Sequence, residues 1–289
     1  MGVKRYGNAF GHKIILFFYN LLGYKFVSFI LNFVAFYYVL FTPSIKKSLE
    51  SYYEHLGIKL TYKVYFRHIK LFALSIFDRF VSRIKPEELH FIRENREAFM
   101  SLQEGGIVLL SHVGGWATAA HSLKADIPPM HIVMRESTQK DISKVEKSKE
   151  RQNESGVKII DLNQGPIAAN IQIANALMSK EVVAIMADRV VDANKAIEVE
   201  FLGSKVQINR NPFDIAHRFK KVLVATFVLN SAVQEYTLIF EKIEIEDKTV
   251  EAIAQEYTNI LTKIMKKYPN QWYNFYDFFN QRKIDVNKQ

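Results

Sequence analysis

Short apolar runs alternate with amphipathic stretches over the last two thirds of the chain, and each run has the length of one β-strand. These runs predict strands at Ile107–Leu110, His131–Met134, Val157–Asp161, Val182–Met186, Ile197–Phe201, Val222–Val228 and Tyr236–Phe240. Helices are predicted at Trp116–Lys124, Ile142–Gln152, Ile167–Ser179, Pro212–Phe219 and Glu251–Tyr268. Such an alternation of strands and helices is typical of an α/β domain.

The amino-terminal part of the chain has a different pattern. The stretch Ile14–Phe41 is strongly apolar, but Gly23-Tyr24-Lys25 divides it into pieces of about 9 and 16 residues. A helix that spans a membrane needs about 20 apolar residues, and basic residues flank both ends, including Lys13 and Lys46. We therefore predict a helical hairpin that enters one leaflet of a membrane. The alternative is a helical hairpin that packs on the protein's own core.

Residues 44–100 are predicted to be helical throughout. Within Lys59–Arg83 the apolar positions follow helical spacing, and Lys63, Arg67 and Lys70 contribute to a basic face. A basic face is usually solvated, but beside an apolar anchor it suits anionic lipid headgroups. The predicted organisation is a membrane-embedded helical segment at residues 1–45 and an α/β domain at residues 46–289.

Composition narrows the classes of function. The chain of 289 residues has no cysteine, which excludes disulfides, thiolate metal sites and a cysteine nucleophile. Its net charge of +9 suits an anionic partner such as a membrane face or an acidic carrier protein. We find no nucleic-acid-binding signature, no pair of histidines with metal-ligand spacing and no Gly-x-Ser-x-Gly motif. The prediction is therefore a protein with no metal, no cofactor and no nucleic-acid partner.

One stretch carries the candidate chemistry. The buried run Ile107–Leu110 leads into Ser111-His112, and Gly114, Gly115 and Trp116 follow. This order predicts a strand, a sharp turn and the start of a helix. A histidine at the carboxyl end of a strand lies where open α/β sheets place their reactive groups. The alternative is a buried histidine with a structural role.

Several segments together resemble a known group of enzymes. They are His112-Val113-Gly114-Gly115-Trp116-Ala117, Arg135 after a strand, Val182–Asp188 followed by Arg189, Phe201-Leu202-Gly203 before the helix near Asn211–His217, and the closing aromatic segment Gln271–Phe278. With these segments the chain resembles the lysophospholipid acyltransferase superfamily, in the branch related to the late acyltransferases of bacterial lipid A. The resemblance covers nearly the whole chain. It implies a glycerolipid-acyltransferase-like mixed sheet flanked by helices, with an amino-terminal membrane anchor.

The resemblance also implies an activity. It indicates a membrane-associated acyltransferase on the cytoplasmic face of a bacterial inner membrane, with acyl carrier protein or acyl-coenzyme A as donor. The acceptor would be a lysolipid, a glycolipid or a lipid-A-like molecule. His112 would act as general base, because the pKa range of histidine suits proton transfer near neutral pH.

The remaining candidate residues would bind substrate. Backbone amides of Gly114 and Gly115 would meet the oxyanion, and Trp116 with the aromatic tail would shape an apolar channel for the acyl chain. The charged candidates are Asp188 and three arginines that would hold anionic groups, Arg135, Arg189 and Arg210. Local ion pairs, Arg135 with Glu136 and Asp188 with Arg189, are the alternative.

The chain departs from the family pattern at one position. Ala117 stands where the family has a Glu or Asp, five residues after the histidine. In the family this carboxylate orients the imidazole and stabilises its charged form. Three explanations remain open: Asp188 supplies the carboxylate instead, His112 acts alone, or the protein is an inactive relative that binds lipid.

Overall fold

A computed structural model describes residues 9–123, 127–135, 157–190 and 192–280. The helices within these ranges are α1 (Ala9–Phe41), α2 (Pro43–His55), α3 (Tyr62–Ile84), α4 (Arg96–Met100), α5 (Trp116–Leu123), α6 (Pro166–Met178), α7 (Asn211–Phe219) and α8 (Val250–Lys267). The strands are β1 (His90–Glu94), β2 (Gly106–Leu110), β3 (Met130–Met134), β4 (Val157–Asp161), β5 (Val182–Met186), β6 (Ala196–Phe201), β7 (Ser204–Asn209), β8 (Leu223–Ala232) and β9 (Glu235–Ile243). The helix predicted at Ile142–Gln152 lies outside the described residues.

A seven-stranded sheet forms the centre of the fold. Its strand order is β1-β9-β8-β2-β5-β3-β4. Strands β8, β2, β5, β3 and β4 run parallel to one another, whereas β9 is antiparallel to β8 and pairs with β1 in parallel. The predicted mixed sheet flanked by helices is therefore confirmed. Because β2 and β5 are parallel neighbours, the residues that follow them meet at one edge of the sheet.

Strands β6 and β7 form a separate two-stranded sheet. The predicted strand Ile197–Phe201 is β6, but its partner β7 was not predicted from the sequence. Leu202 and Gly203 connect the two strands, and both have positive φ angles, 51° and 79°. A tight hairpin connection of this kind favours such backbone angles.

The prediction of continuous helix over residues 44–100 is wrong at β1. Its five residues, His90–Glu94, pair with β9 rather than extending a helix. Phe91 lies opposite Tyr236, with ring centroids 6.0 Å apart. The partner strand is remote in sequence, so a pattern confined to the local segment could not identify this pairing.

Side chains of the central strands alternate between two cores. In β2, Ile107 and Leu109 face the core formed with α6, α7, α8 and the carboxyl-terminal tail, whereas Val108 and Leu110 face the core formed with α4 and α5. The sequence of a strand that is buried on both faces is a continuous apolar run, and β2 has such a sequence. A third cluster joins α1 to α3.

Helix α1 is broken at Gly23, which has φ 77° and ψ 179°. The rings of Phe18 and Phe26 lie 5.7 Å apart, whereas residues eight apart in a straight helix are separated by about 12 Å along the axis. The two arms of α1 therefore bend towards each other at the position where the sequence predicted a break. The boundary predicted at residue 45 falls in the first turn of α2.

Much of the apolar surface of α1 is not covered by the described part of the chain. Tyr19, Tyr24, Val27 and Leu31 pack against α3, but large side chains on the rest of the helix are 49–64% exposed, namely Phe17, Leu21, Leu22, Phe29, Phe33, Phe36, Tyr37, Leu40 and Phe41. The segment Ile14–Phe41 is long and apolar enough to anchor the protein in a membrane.

Candidate active site

His112 lies two residues beyond the end of β2, at the carboxyl edge of the parallel strands. Its carbonyl accepts a hydrogen bond from Tyr273 N–H at 2.7 Å, and Val113 forms a bridge with Trp272. The chain around the histidine is therefore held by the carboxyl-terminal tail. The imidazole remains 26% exposed, so a substrate can reach it.

Asp188 is the partner of His112. In the register of the sheet Leu110 lies opposite Met186, so the residues two positions further along each strand are neighbours. The distance from His112 Nδ1 to Asp188 Oδ1 is 2.8 Å, and the His112 backbone N–H donates to Asp188 Oδ2 at 2.9 Å. With Nδ1–H donating to the carboxylate, Nε2 is the nitrogen that can accept a proton.

Asp188 is fully buried, with 0% of its surface exposed. Burial opposes ionisation of this carboxyl, but His112, the Arg189 charge and the Trp272 indole together hold its pKa below the usual range. Asp188 is thus a carboxylate at neutral pH. Its burial does not fit the expectation that it contacts substrate. Its geometry agrees with the alternative in which it replaces the motif carboxylate absent at Ala117.

The glycine turn packs closely against the sheet. Gly114 has φ 58°, and a Cβ atom there would lie 1.8 Å from the Val228 carbonyl oxygen. The Gly114 N–H donates to Gln271 O and the Gly115 N–H donates to Val228 O, each at 2.7 Å. Both amides are occupied by protein carbonyls in this structure, so they do not form the expected oxyanion site. The positive φ angle and the close approach of the Val228 carbonyl explain why only glycine fits at residue 114.

Trp116 opens α5 and lines an apolar cavity. Other residues of its wall include Leu110, Ile132, Val228 and Phe240. The aromatic tail lies in the core on the opposite face of the sheet, where Trp272 and Phe278 are buried. Trp116 and the tail therefore do not share one channel, contrary to the expectation from the sequence. The cavity beside Trp116 has a volume of only about 20 Å³, which is room for a water molecule and not for an acyl chain.

Arg189 is held by the tail. Its Nε donates to Asn274 Oδ1 at 2.5 Å and its Nη2 donates to Tyr273 O at 2.9 Å. Its guanidinium also lies over the Tyr276 ring, 5.4 Å from the centroid. The positive charge stands beside Asp188, which supports ionisation of that carboxyl.

The other two candidate arginines differ in environment. Arg210 lies 3.1 Å from Asp214 and 2.9 Å from Glu251, so two carboxylates neutralise it. Arg135 is exposed directly after β3, at the same edge of the sheet as His112. Its neighbour Glu136 lies outside the described residues, so the suggested ion pair between them is not described. Of the three arginines, Arg135 is the best placed to meet an anionic substrate.

Sequence reasoning gave the aromatic tail a part in an acyl channel but did not predict the contact of Trp272 with Asp188. Its indole Nε1–H donates to Asp188 Oδ2 at 3.0 Å, and its ring packs against Tyr52, Phe201 and Phe278. The dense run of aromatic residues in this tail holds no signal for the hydrogen bond. The described residues include no group of three or more His, Asp or Glu side chains that could hold a metal ion.

The sequence model of one protein family, the bacterial lipid A biosynthesis acyltransferases, matches residues 63–281. The chain belongs to the bacterial lipid A biosynthesis acyltransferase family. No curated protein matches the chain. The match to this acyltransferase family begins in α3 and extends through the tail that carries Trp272, so it includes both His112 and Asp188. Membership in this family indicates that the protein is an acyltransferase acting on lipid substrates. Helix α1 lies before the matched region.

Proposed function

We propose that this protein transfers a fatty acyl group from an acyl thioester to a lysolipid, a glycolipid or a lipid-A-like acceptor. The donor is acyl carrier protein or coenzyme A thioester, and the reaction takes place on the cytoplasmic face of a bacterial inner membrane. The observation that carries the proposal is the His112–Asp188 pair, in which a buried carboxylate orients an accessible imidazole. The family match supports acyl transfer to lipid.

The pair supports a general-base mechanism. Nε2 of His112 accepts the proton of the acceptor hydroxyl or amine as its oxygen or nitrogen attacks the thioester carbonyl carbon. Asp188 stabilises the imidazolium that forms, because its charge faces Nδ1. When the tetrahedral intermediate collapses, the carbon–sulfur bond breaks and the imidazolium returns its proton to the leaving thiolate. The products are the acylated lipid and the free thiol.

Substrate binding follows from the surroundings of the pair. For an acyl chain to bind at the apolar residues beside Trp116, the walls of this small cavity have to move apart, and burial of the methylene groups then supplies binding energy. The exposed Arg135 meets an anionic group of the donor or the acceptor. The net charge of +9 also suits an acidic carrier protein or a phosphorylated coenzyme.

The exposed apolar side chains of α1 anchor the protein to the membrane. They bring His112 to the surface at which lipid acceptors reside. Lys63 and Arg67 on α3 are exposed and contribute positive charge for anionic headgroups. Serine substitution of Phe29, Phe33 and Phe36 together is expected to abolish flotation with phosphatidylglycerol-containing vesicles, whereas Ile92→Ser, at an exposed apolar residue of β1, leaves flotation unchanged.

The test of the activity is a lipid profile of cells that carry wild type or His112→Ala as their only copy, at equal expression. We expect a lipid species that lacks one acyl group in the His112→Ala cells. His90→Ala, at an exposed histidine of β1, is the matched control and should leave the profile unchanged. Identical profiles for wild type and a folded, membrane-bound His112→Ala protein would contradict the proposal and favour the inactive lipid-binding alternative.

A further inference from the structure

A buried carboxyl group joins three elements that are remote from one another in sequence. Asp78 lies on α3 with 0% of its surface exposed, and the Tyr236 hydroxyl of β9 donates to its Oδ2 at 2.5 Å. The Tyr24 side chain of α1 also lies against this carboxyl. Asp78 Oδ1 has no hydrogen-bond partner within the described part of the chain. The Tyr24 hydroxyl nevertheless already lies close enough to favour the charged form of this carboxyl.

Tyr24 connects this cluster to the membrane segment. It follows Gly23 directly, so it lies at the break between the two arms of α1. Its ring packs on Phe77 of α3 with centroids 5.3 Å apart, while the preceding Leu21 and Leu22 are exposed. A change in the angle between the arms would move the Tyr24 hydroxyl relative to Asp78, because the residue lies beside the pivot.

Tyr236 connects the same cluster to the catalytic turn. A Cβ atom at Gly115 would lie 2.8 Å from Tyr236 Cε1, so the ring packs directly against this glycine. The Gly115 amide is fixed on Val228, and His112 is three residues away along the chain. Because protein interiors are close-packed, a shift of the ring is passed on to the turn.

A carboxyl group at this buried position lowers the stability of the folded protein when it ionises. Burial raises the pKa of Asp78 to about 6, with the hydroxyls of Tyr236 and Tyr24 opposing the shift. An apolar side chain of similar size would avoid that cost. The hydrogen bonds of His112 and Asp188 in the described structure do not include Asp78. A buried ionisable group outside the reaction centre is a candidate for a role other than stability.

We propose that Asp78 and Tyr236 are positioning residues that make the geometry of the catalytic turn depend on membrane docking of α1. When the exposed side chains of α1 enter lipid, the bend of α1 is fixed, and with it the approach of the Tyr24 hydroxyl to the Asp78 carboxyl. The Asp78–Tyr236 pair then holds the ring against Gly115 and keeps His112 in its productive position. This inference rests on the proposed acyl transfer at His112, and it adds the regulation of that site by the membrane.

A double-mutant cycle tests the connection. Tyr24→Phe, Tyr236→Phe and the double variant each remove hydroxyls but keep the rings. The assay is thiol release from dodecanoyl-coenzyme A and dodecanoyl-acyl carrier protein on phosphatidylglycerol-containing vesicles that carry a lysophospholipid acceptor. Tyr65→Phe is the matched control, because this buried α3 hydroxyl bonds to Thr42, directly after α1, and has no hydrogen bond to Asp78 or Tyr236 among the described residues.

The expected result is a fall in kcat of about 3- to 10-fold for each single variant, the size of one lost hydrogen bond. KM for the thioester should stay within about twofold, since no group that touches the donor has changed. The double variant should be no slower than the slower single variant, because both hydroxyls act through one carboxyl. Additive effects, or an equal fall in kcat for Tyr65→Phe, would overturn the inference.

Tryptophan emission separates this inference from the proposed activity. The chain has two tryptophans, Trp116 next to Gly115 and Trp272 on Asp188. Vesicles should change the emission of wild type and of Tyr65→Phe, but not that of Tyr236→Phe. A wild type no faster than His112→Ala would refute acyl transfer, while the emission change would still decide whether docking reaches the turn. An emission change retained in Tyr236→Phe would refute the coupling.

Discussion

The Trp272 indole N–H and the His112 backbone N–H donate to the same carboxylate oxygen, Asp188 Oδ2, at 3.0 and 2.9 Å. The other oxygen, Oδ1, is left for His112 Nδ1. Asp188 is thus fixed on both sides, and its orientation towards the imidazole does not depend on solvent. Two donors from the protein also stabilise the charged form of a carboxyl that has no exposed surface.

Asp188→Asn should reduce kcat by on the order of 10³-fold or more, because the equivalent change in a serine-protease triad costs about 10⁴. The amide can present N–H to Nδ1 and so favour the wrong tautomer of His112. The measurement is steady-state acyl transfer with a fixed thioester donor. Asp192→Asn, at an exposed aspartate four residues away, is the control and should retain activity. A similar loss in both variants would contradict the role of Asp188.

Ala117→Glu restores the residue type found in the family motif. We expect no gain beyond about twofold in kcat, because Asp188 already occupies the hydrogen bond of Nδ1. In the Asp188→Asn background the same change should recover part of the activity if the introduced carboxylate can reach the imidazole. A large gain from Ala117→Glu alone would show that His112 lacks an effective carboxylate in the wild type.

Trp272→Phe removes one donor to Asp188 and keeps most of the aromatic packing. Loss of a hydrogen bond to a charged group is worth about 1.5–3 kcal/mol, so kcat should fall by roughly 10- to 100-fold. The control is Phe201→Leu, which disturbs the same aromatic cluster without removing a donor. The rings of Phe201 and Trp272 lie 5.2 Å apart. If Phe201→Leu lowers kcat equally, packing rather than the indole N–H explains the effect.

Gly114→Ala should destabilise the protein far more than Gly203→Ala. Both glycines have positive φ angles, 58° and 79°, so each alanine has to adopt a left-handed conformation that costs about 1–2 kcal/mol. Only at Gly114 would the new Cβ also collide with a carbonyl oxygen, that of Val228. Thermal unfolding of the two variants measures the difference. Equal shifts in Tm would show that the turn can move away from β8.

Asp78→Asn should change the pH dependence of stability. The pKa of Asp78 is about 6 in the folded protein, against 3.8 for an ordinary aspartate. Below pH 3.8 the carboxyl is mostly protonated in both the folded and the unfolded protein, so its ionisation does not lower the free energy of unfolding. As the pH rises to about 6 the unfolded chain loses the proton first, so the folded state is progressively penalised, finally by roughly 3 kcal/mol.

The stability advantage of Asp78→Asn over wild type should therefore grow between about pH 4 and pH 7 and stay constant above that range. The titratable groups around this carboxyl include the phenols Tyr24, Tyr236, Tyr19 and Tyr273, and phenols stay neutral over that range. Asp247→Asn, at an exposed turn, is the control. A stability difference that does not vary with pH would show that Asp78 does not carry this penalty.

The resemblance to the family, the location of His112 and most strands followed from local patterns. Buried strands of a parallel sheet are continuous apolar runs, and glycines after a histidine mark a turn, so both features are visible within a few residues. The basic composition and the broken apolar segment at Ile14–Phe41 likewise needed no tertiary information. The sequence therefore determined the class of fold, the candidate base and an apolar segment long enough to anchor the protein in a membrane.

The tertiary structure decided which carboxylate serves His112. Asp188 is 76 residues away along the chain, and only the parallel register of β2 and β5 brings the two together. The same holds for Trp272, for the pairing of β1 with β9 and for the meeting of Tyr24, Asp78 and Tyr236. These contacts join segments that are remote in sequence, and local periodicity carries no information about which remote segments will pack together.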